Sequence, residues 1–273
     1  MLDLFGPEEL FHDSQYGFWE GRICEDVLLI CVEKWRLALD KGKTVAIAFL
    51  DLSKAFDNVD HQRLLLKLKS LNISGTVLMW FADYLSDRWQ RVSDSTCSAI
   101  SAPVQKGVPQ GSVLGPTLFN LYVSHVLDIA KSTSVEVPSY ADDITVFAVD
   151  ASPRSAIQKV SDALGLISTD LQLNGLVMNM VKSCGMVISK NISSVEPITC
   201  NGVALRMVAH TRLLGPEIDN QLSWDDQVRE MSCKISKKIG ALKRAKRYLS
   251  PQVKHLFLSS VILPDFDYAC FCM

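Results

Sequence analysis

The sequence lacks the features that mark several simple protein classes. Among its 273 residues no apolar run approaches the roughly 20 that a membrane-spanning helix needs. The first residues, MLDLFGPEELFHD, are acidic and do not follow the basic-then-apolar order of a secretory leader. Eight cysteines are present, yet none forms a C-x-x-C and no histidine follows at zinc-finger spacing. They read as reduced thiols of an intracellular protein, most of them core filler. There is no internal repeat, no low-complexity tract and no evident linker. Charged residues are only 21% of the chain against 48% hydrophobic, which excludes a disordered tail and allows a sizeable core. Lys+Arg 28 against Asp+Glu 30 leaves a formal net charge of −2, which excludes a uniformly basic nucleic-acid coat.

That near-balance hides an asymmetry. Residues 1–40 carry nine acids against Arg22, Lys34 and Arg36. Residues 229–254 carry nine cations, among them Lys237, Lys238, Lys243, Arg244, Lys246 and Arg247, against Glu230 alone. So one-signed a segment is a candidate phosphate-contacting surface. It also reads as the solvated face of an amphipathic helix, because Ile235, Ile239, Leu242, Ala245 and Leu249 recur at helical spacing.

Along the chain, 24–40 reads as a helix closed near Gly42, and 44–50 (TVAIAFL) as a short buried strand ending at Asp51. Residues 60–71 and 75–86 suggest two further helices, and 88–104 a polar hairpin. Gly107, Pro109, Gly111, Gly115 and Pro116 crowd a loop leading to an apolar helix over 117–130. Two β runs, VEVPSY and ITVFAV, flank Ala141-Asp142-Asp143. Residues 153–174 are helical, 184–189 a strand, 197–225 short strands and turns, and the remainder helical with breaks at Pro251 and Pro264. The order predicts an α+β fold, a sheet with helices on one face.

Three acids stand out. Asp51 closes an apolar strand, and Asp142 and Asp143 sit at the tip of an apolar hairpin. Adjacent carboxylates repel, and a cation relieves that repulsion. If the strand end aims Asp51 at Asp142, the result is an all-oxygen cluster suited to two Mg²⁺ or Mn²⁺ ions. Asp-Asp is equally a common turn dipeptide, and Asp57 reads as a cap or turn residue. In the loop Val108-Pro109-Gln110-Gly111-Ser112, glycine lets backbone approach a nucleotide, and Gln110 can donate to a sugar or phosphate; a plain loop before a helix is the alternative.

Taken together, these pieces resemble the reverse transcriptase domain of non-LTR (LINE-type) retrotransposons of the jockey/CR1-like kind. Ala48 to His61, with Asp51, Leu52, Phe56 and Asp57 inside it, resembles that family's first catalytic motif. Trp80, Tyr84-Leu85-Ser86, Arg88, Gln90 and Val92 match its W-x-x-x-Y-L-S-x-R-x-Q-x-V run. Gly107 to Pro116, then Leu118-Phe119-Asn120, match its template–nucleotide loop and helix, and Tyr140-Ala141-Asp142-Asp143 its Y-A-D-D hairpin. Gly175 to Asn179 with Lys182 resemble the next motif, and Leu213-Leu214-Gly215 with Leu222-Ser223-Trp224 the primer-grip region. Tyr16 to Asp26 resemble the family's Q-x-G-F-R-x-G-R-S-T-E-D, with Trp19 where Arg is usual.

The resemblance implies a right-hand polymerase: a palm over 45–210, to which 58–104 add part of the fingers, a remnant of fingers in 1–44, and a primer grip with an incomplete thumb in 211–273. It implies that Asp51, Asp142 and Asp143 are the catalytic, metal-binding acids. Leu52 through its carbonyl, Phe56 as a steric gate against a ribose 2′-OH, Gln110, Gly111 and Lys182 would meet the nucleotide. Arg88 and the basic residues of 229–254 would meet nucleic acid. The implied partners are an RNA template, a DNA primer and dNTPs, with no membrane, and the implied location is the nucleus, the cytoplasm or both. The expected activity is RNA-directed DNA polymerisation; the alternative is an inactive relic or a co-opted nucleic-acid-binding module. Because the family's preceding fingers segments are missing, the expectation is a truncated element.

Overall fold

The apolar run 44–50 is the central strand of a five-stranded sheet in the computed structural model, which describes residues 12–91, 100–190, 196–268 and 270. This strand, β1 (Thr44–Leu50), pairs antiparallel with β5 (Asp143–Asp150) on one side and β6 (Cys184–Ile188) on the other. β4 (Ser139–Tyr140) extends the sheet beyond β5, and β9 (Arg206–Met207) lies parallel beside β6. Six of the seven β1 residues are buried, because a central strand covered on both faces has no solvent side.

The twofold alternation of a strand divides the core. Ala46, Ala48 and Leu50 of β1 join Val146 and Ala148 of β5 in one cluster. It is covered by α4 (Gly115–Ser132) and α5 (Pro153–Leu173). The small alanines let α5 come close, and its Ala156, Val160, Ala163, Leu164, Ile167 and Leu171 lie on that inner stripe. α2 (His61–Ser70) and α3 (Gly75–Leu85) pack outside α4 and contribute Leu64, Leu68, Phe81 and Leu85. The expected layer of helices on one face of the sheet is thus present.

The opposite face carries a further cover. α1 (Cys24–Asp40) sets Val27, Leu28, Cys31, Val32, Trp35 and Ala38 against Val45, Ile47, Phe147, Met186 and Ile188. Trp35 meets Phe147 edge-on at 5.8 Å. Pro138 interrupts the β run expected over VEVPSY. Glu136 exchanges backbone hydrogen bonds with Phe147 as an isolated bridge, and regular pairing resumes only at Ser139.

Smaller pieces complete the chain. β2 (Trp89–Gln90) pairs with β3 (Ala102–Pro103), the base of the expected hairpin, whose residues 92–99 lie outside those described. β7 (Thr199–Cys200) pairs with β8 (Val203–Ala204). β10 (His210–Arg212) pairs with β11 (Glu217–Asp219). Pro216 sits in the turn between β10 and β11, where no ladder N–H is required, and its carbonyl accepts from Leu213 N–H at 3.0 Å. α6 (Asp225–Ala245), α7 (Pro251–Phe257), a π-helical turn (Leu258–Ile262) and α8 (Leu263–Asp267) form the basic, mostly helical end.

Candidate active site

The pairing register gathers the acids. Leu50 lies opposite Ile144, so one step further brings Asp51 level with the turn that holds Asp142 and Asp143. Asp51 and Asp142 both line a cleft of about 930 Å³. Asp143, the exposed first residue of β5, is not among its lining residues. The carboxyls of Asp142 and Asp143 both titrate above the ordinary range: desolvation comes first, then the nearby Asp51 charge and, for Asp143, Asp142 as well. Asp143 is exposed as a residue, and the neighbouring Asp142 and Asp51 charges both push its carboxyl upward. Across the cleft mouth the Lys182 ammonium lies 3.9 Å from Asp51.

The segment carrying Lys182 is fastened to the strand end. Ser53 N–H donates to the Val177 carbonyl at 2.9 Å, Asn179 N–H to the Asp51 carbonyl at 2.8 Å, and Asp51 N–H to Ser183 Oγ at 3.1 Å. Leu52, the middle residue of this bridge, turns its own carbonyl away from the 177–179 segment. The Asn179 side chain accepts from the Val181 and Lys182 N–H groups, which fixes the turn that presents Lys182.

The other wall is the glycine-rich loop. Gly107 N–H donates to the Val59 carbonyl and Val108 N–H to the Phe56 carbonyl, at 2.8 and 2.9 Å. Gly107 has φ +91, and a Cβ there would fall 2.8 Å from Asp57 Cα, so a side chain is excluded twice over. Stitched in this way, the loop carries Gln110 to Asp57, and Gln110 Nε2 donates to Asp57 Oδ1 at 2.8 Å. Asp57 lies in a single 3₁₀ turn, as the cap-or-turn reading expects, but it also anchors Gln110. Phe56 lines the cleft half-buried, its ring stacked on Phe119 of α4 at 4.1 Å and 20°.

Arg88, three residues past the end of α3, completes a ladder begun by Trp80 and Tyr84 on that helix. Trp80 stacks on Tyr84 at 5.5 Å, and the Arg88 guanidinium lies over Tyr84 at 4.5 Å. Tyr84 Oη donates to Ser112 Oγ at 2.8 Å, which ties this ladder to the cleft. The basic residues of the C-terminal part do not line the cleft. Lys237, Lys243, Arg244, Lys246 and Arg247 are exposed. Lys238 is spent inside that part: its ammonium donates to the Val261 carbonyl and to Asp265.

Two cleft residues escaped the sequence reading. Lys54, exposed at φ +47, adds a cation beside Asp51, and Phe18 presents a half-exposed ring. Both sit inside quoted motifs; a cation three residues after a strand-end acid was the available signal for Lys54.

Among the described residues no three His, Cys, Asp or Glu side chains stand close enough to hold a metal ion by themselves. The donor chemistry still fits a hard cation. Mg²⁺ is commonly held by one or two carboxylates plus substrate phosphates, and Asp51 and Asp142 supply two, the Asp51 charge helping to raise the Asp142 pKa.

A family model described as "Reverse transcriptase (RNA-dependent DNA polymerase)" matches residues 1–231. A probable RNA-directed DNA polymerase from transposon X-element of Drosophila melanogaster is 25% identical over 99% of this chain and 30% of its own length. The RNA-directed DNA polymerase from mobile element jockey of Drosophila funebris is 26% identical over 85% of this chain and 26% of its own. The chain therefore spans less than a third of the length of these relatives. Among solved structures, a telomerase from Candida tropicalis in complex with a fragment of telomeric RNA superposes with a TM-score of 0.56 at 14% identity. That match covers 82% of this chain and 35% of the telomerase, a likeness of fold. The jockey-type resemblance and the α+β polymerase palm are both borne out.

Proposed function

The chain belongs to the reverse transcriptase family, and from that premise we propose that it performs the nucleotidyl transfer of an RNA-directed DNA polymerase, joining a dNTP to a DNA primer on an RNA template. One observation carries the reading. Two strands deliver Asp51 and Asp142 to one cleft, whose other wall is the Gln110-Gly111 loop.

Reverse transcriptases use divalent metal ions. Here Asp51 and Asp142, with Asp143 beside them, would hold two Mg²⁺ or Mn²⁺ ions, which when bound supply a lowered pKa for the primer hydroxyl and charge neutralisation for the triphosphate. The chain's own groups do the rest. Lys182 and Lys54 offer cations to the triphosphate, and Lys182 is placed to protonate or stabilise the leaving pyrophosphate. The Phe56 ring, held by Phe119, blocks the position of a ribose 2′-hydroxyl. Gly111 leaves backbone open to the base pair, and Gln110 is oriented by Asp57. Residues 45–210 would serve as palm, 58–104 and 1–44 would contribute to the fingers, and 211–273 would serve as primer grip and thumb. The exposed cations of α6 and the residues after it would follow the template–primer backbone, and Arg88 would add a further contact. An intracellular site of action, nuclear or cytoplasmic, goes with this reading.

The test is primer extension on an RNA template with dNTPs and Mg²⁺ or Mn²⁺, against an Asp142→Ala/Asp143→Ala double variant. Extension by the wild type that disappears in the variant is the expected result. A folded chain that binds the duplex yet never extends it would overturn the reading in favour of a nucleic-acid-binding module.

A further inference from the structure

Ala141 has φ +56, and it is the first of the two residues in the β4–β5 turn, directly before Asp142. A positive φ at that place alone is the pattern of a type II′ turn, where glycine is the usual occupant. An alanine there must be held by its surroundings. What holds it comes from a distant part of the chain. The Gln15 side chain, 1% exposed, closes on both backbone groups of Ala141. Its Oε1 accepts from Ala141 N–H at 2.8 Å and its Nε2 donates to the Ala141 carbonyl at 3.3 Å. The same Oε1 accepts from Gly17 N–H at 2.8 Å.

Gln15 is itself fixed. Its backbone bridges Ser139 in parallel, with Ser139 N–H donating to the Ser14 carbonyl and Tyr16 N–H to the Ser139 carbonyl. The Gln15 carbonyl accepts from Arg22, whose guanidinium lies 3.7 Å over the Trp19 ring. Asn120 of α4, buried, donates to the Gly17 carbonyl. We propose that Gln15 is a positioning residue for nucleotidyl transfer: its amide pins Ala141 in the left-handed conformation and so aims Asp142 into the cleft. This rests on the polymerase reading for its catalytic consequence, but not for the clamp itself.

Two variants and two readouts test it. In Gln15→Met the side chain keeps its length and loses all three hydrogen bonds. The expected result is a fall in kcat for primer extension of about tenfold to a hundredfold, the scale of a misplacement near 1 Å. Primer–template affinity stays unchanged. Adding Ala141→Gly restores much of kcat, because glycine adopts a positive φ without help. Amide exchange supplies the second readout: Ala141 N–H is protected in the wild type, and that protection falls selectively in Gln15→Met. An unchanged Ala141 exchange rate in Gln15→Met overturns the proposal. So does a loss of kcat that Ala141→Gly does not rescue, or that comes with an equal loss of duplex binding. If the wild type itself extends no primer, the polymerase reading fails, and the clamp stands or falls on the exchange measurement.

Discussion

Gly17→Ala is the sharpest single perturbation of the site, because the added methyl group has nowhere to go. Its Cβ would lie 2.4 Å from the Ala141 nitrogen, 3.1 Å from Ala141 Cα and 3.1 Å from Gln15 Oε1. An ordinary contact between such atoms is about 3.5 Å, so relief needs a displacement of about 1 Å. The two nearest atoms are backbone, and no rotamer change removes them. Gly17 cannot retreat freely, since Asn120 holds its carbonyl and Gln15 its N–H. The turn before Asp142 must therefore move. Overpacking of this kind costs about 1–3 kcal/mol, and a 1 Å error at reacting groups costs about a hundredfold in rate. Gly21→Ala is the control. Gly21 has φ +78 but nothing within 4 Å of its missing Cβ, so alanine there costs about 1 kcal/mol of backbone strain and leaves kcat unchanged. The assay is primer extension under saturating substrate, with thermal melting of both variants alongside. A Gly17→Ala chain that melts lower but retains wild-type kcat would refute the reasoning, for it would show that the turn absorbs the displacement without moving Asp142.

Three further predictions follow from the same geometry. Asp142→Asn abolishes extension yet raises the melting temperature at neutral pH. The folded-state pKa of Asp142 is raised, so its favourable contribution is complete below the unfolded value near 4 and disappears as pH climbs through the folded value. Melts from pH 4 to pH 8 should therefore show the variant's advantage opening as pH rises, and equal curves at pH 8 would sink the argument. Lys67 is held in the α2–α4 interface, donating to the Tyr122 carbonyl and His125 Nδ1, and burial brings its pKa down to about 8 from 10.5. That drop corresponds to about 3 kcal/mol of disfavoured charge at pH 7, against about 1 kcal/mol for each of two hydrogen bonds. Lys67→Met should thus stabilise the fold at pH 7 by about 1 kcal/mol, and wild-type stability should climb between pH 8 and pH 10.5; a variant that melts several degrees lower contradicts this. Phe56→Ala should erode discrimination against rNTPs by about 10–200-fold, the range for one ill-fitting group in a pocket. An unchanged ratio of dNTP to rNTP incorporation would place the gate elsewhere.

Much of this architecture could be read from the residues because local pattern and chemistry coincide. After Thr44, VAIAFL has no polar position to show to water, so it reads as a buried strand with Asp51 at its end. Helix α4 begins at Gly115 rather than at 117, since proline at the first turn is compatible with a helix that was read as starting after it. The second cover of the sheet was less legible. The apolar stripe of α1 shows that the helix packs on something, but nothing in 24–40 says which face of which sheet receives it. Lys238 shows the same limit on the basic end. By charge it is indistinguishable from Lys237, yet it turns inward to Asp265 while Lys237 stays exposed.

The contact that matters most to the site is also the least readable. Gln15 and Ala141 are 126 residues apart, and a glutamine carries neither charge nor hydrophobic periodicity to betray its destination. Only the backbone of Ala141 explains it. A two-residue turn that needs a positive φ at its first position favours glycine, and the chain has alanine there. A side chain that both donates and accepts is the simplest remedy, because it satisfies the N–H and the carbonyl of the strained residue together, and an amide offers both functions in a planar pair at any ordinary pH, whereas a carboxyl group does so only when protonated. Glutamate at position 15 would lose the donor and bring a negative charge toward carboxyls that already resist ionisation. The arrangement therefore constrains position 15 to an uncharged amide, and under the proposed function it makes the segment before α1 a support for Asp142 that contributes no group to the chemistry.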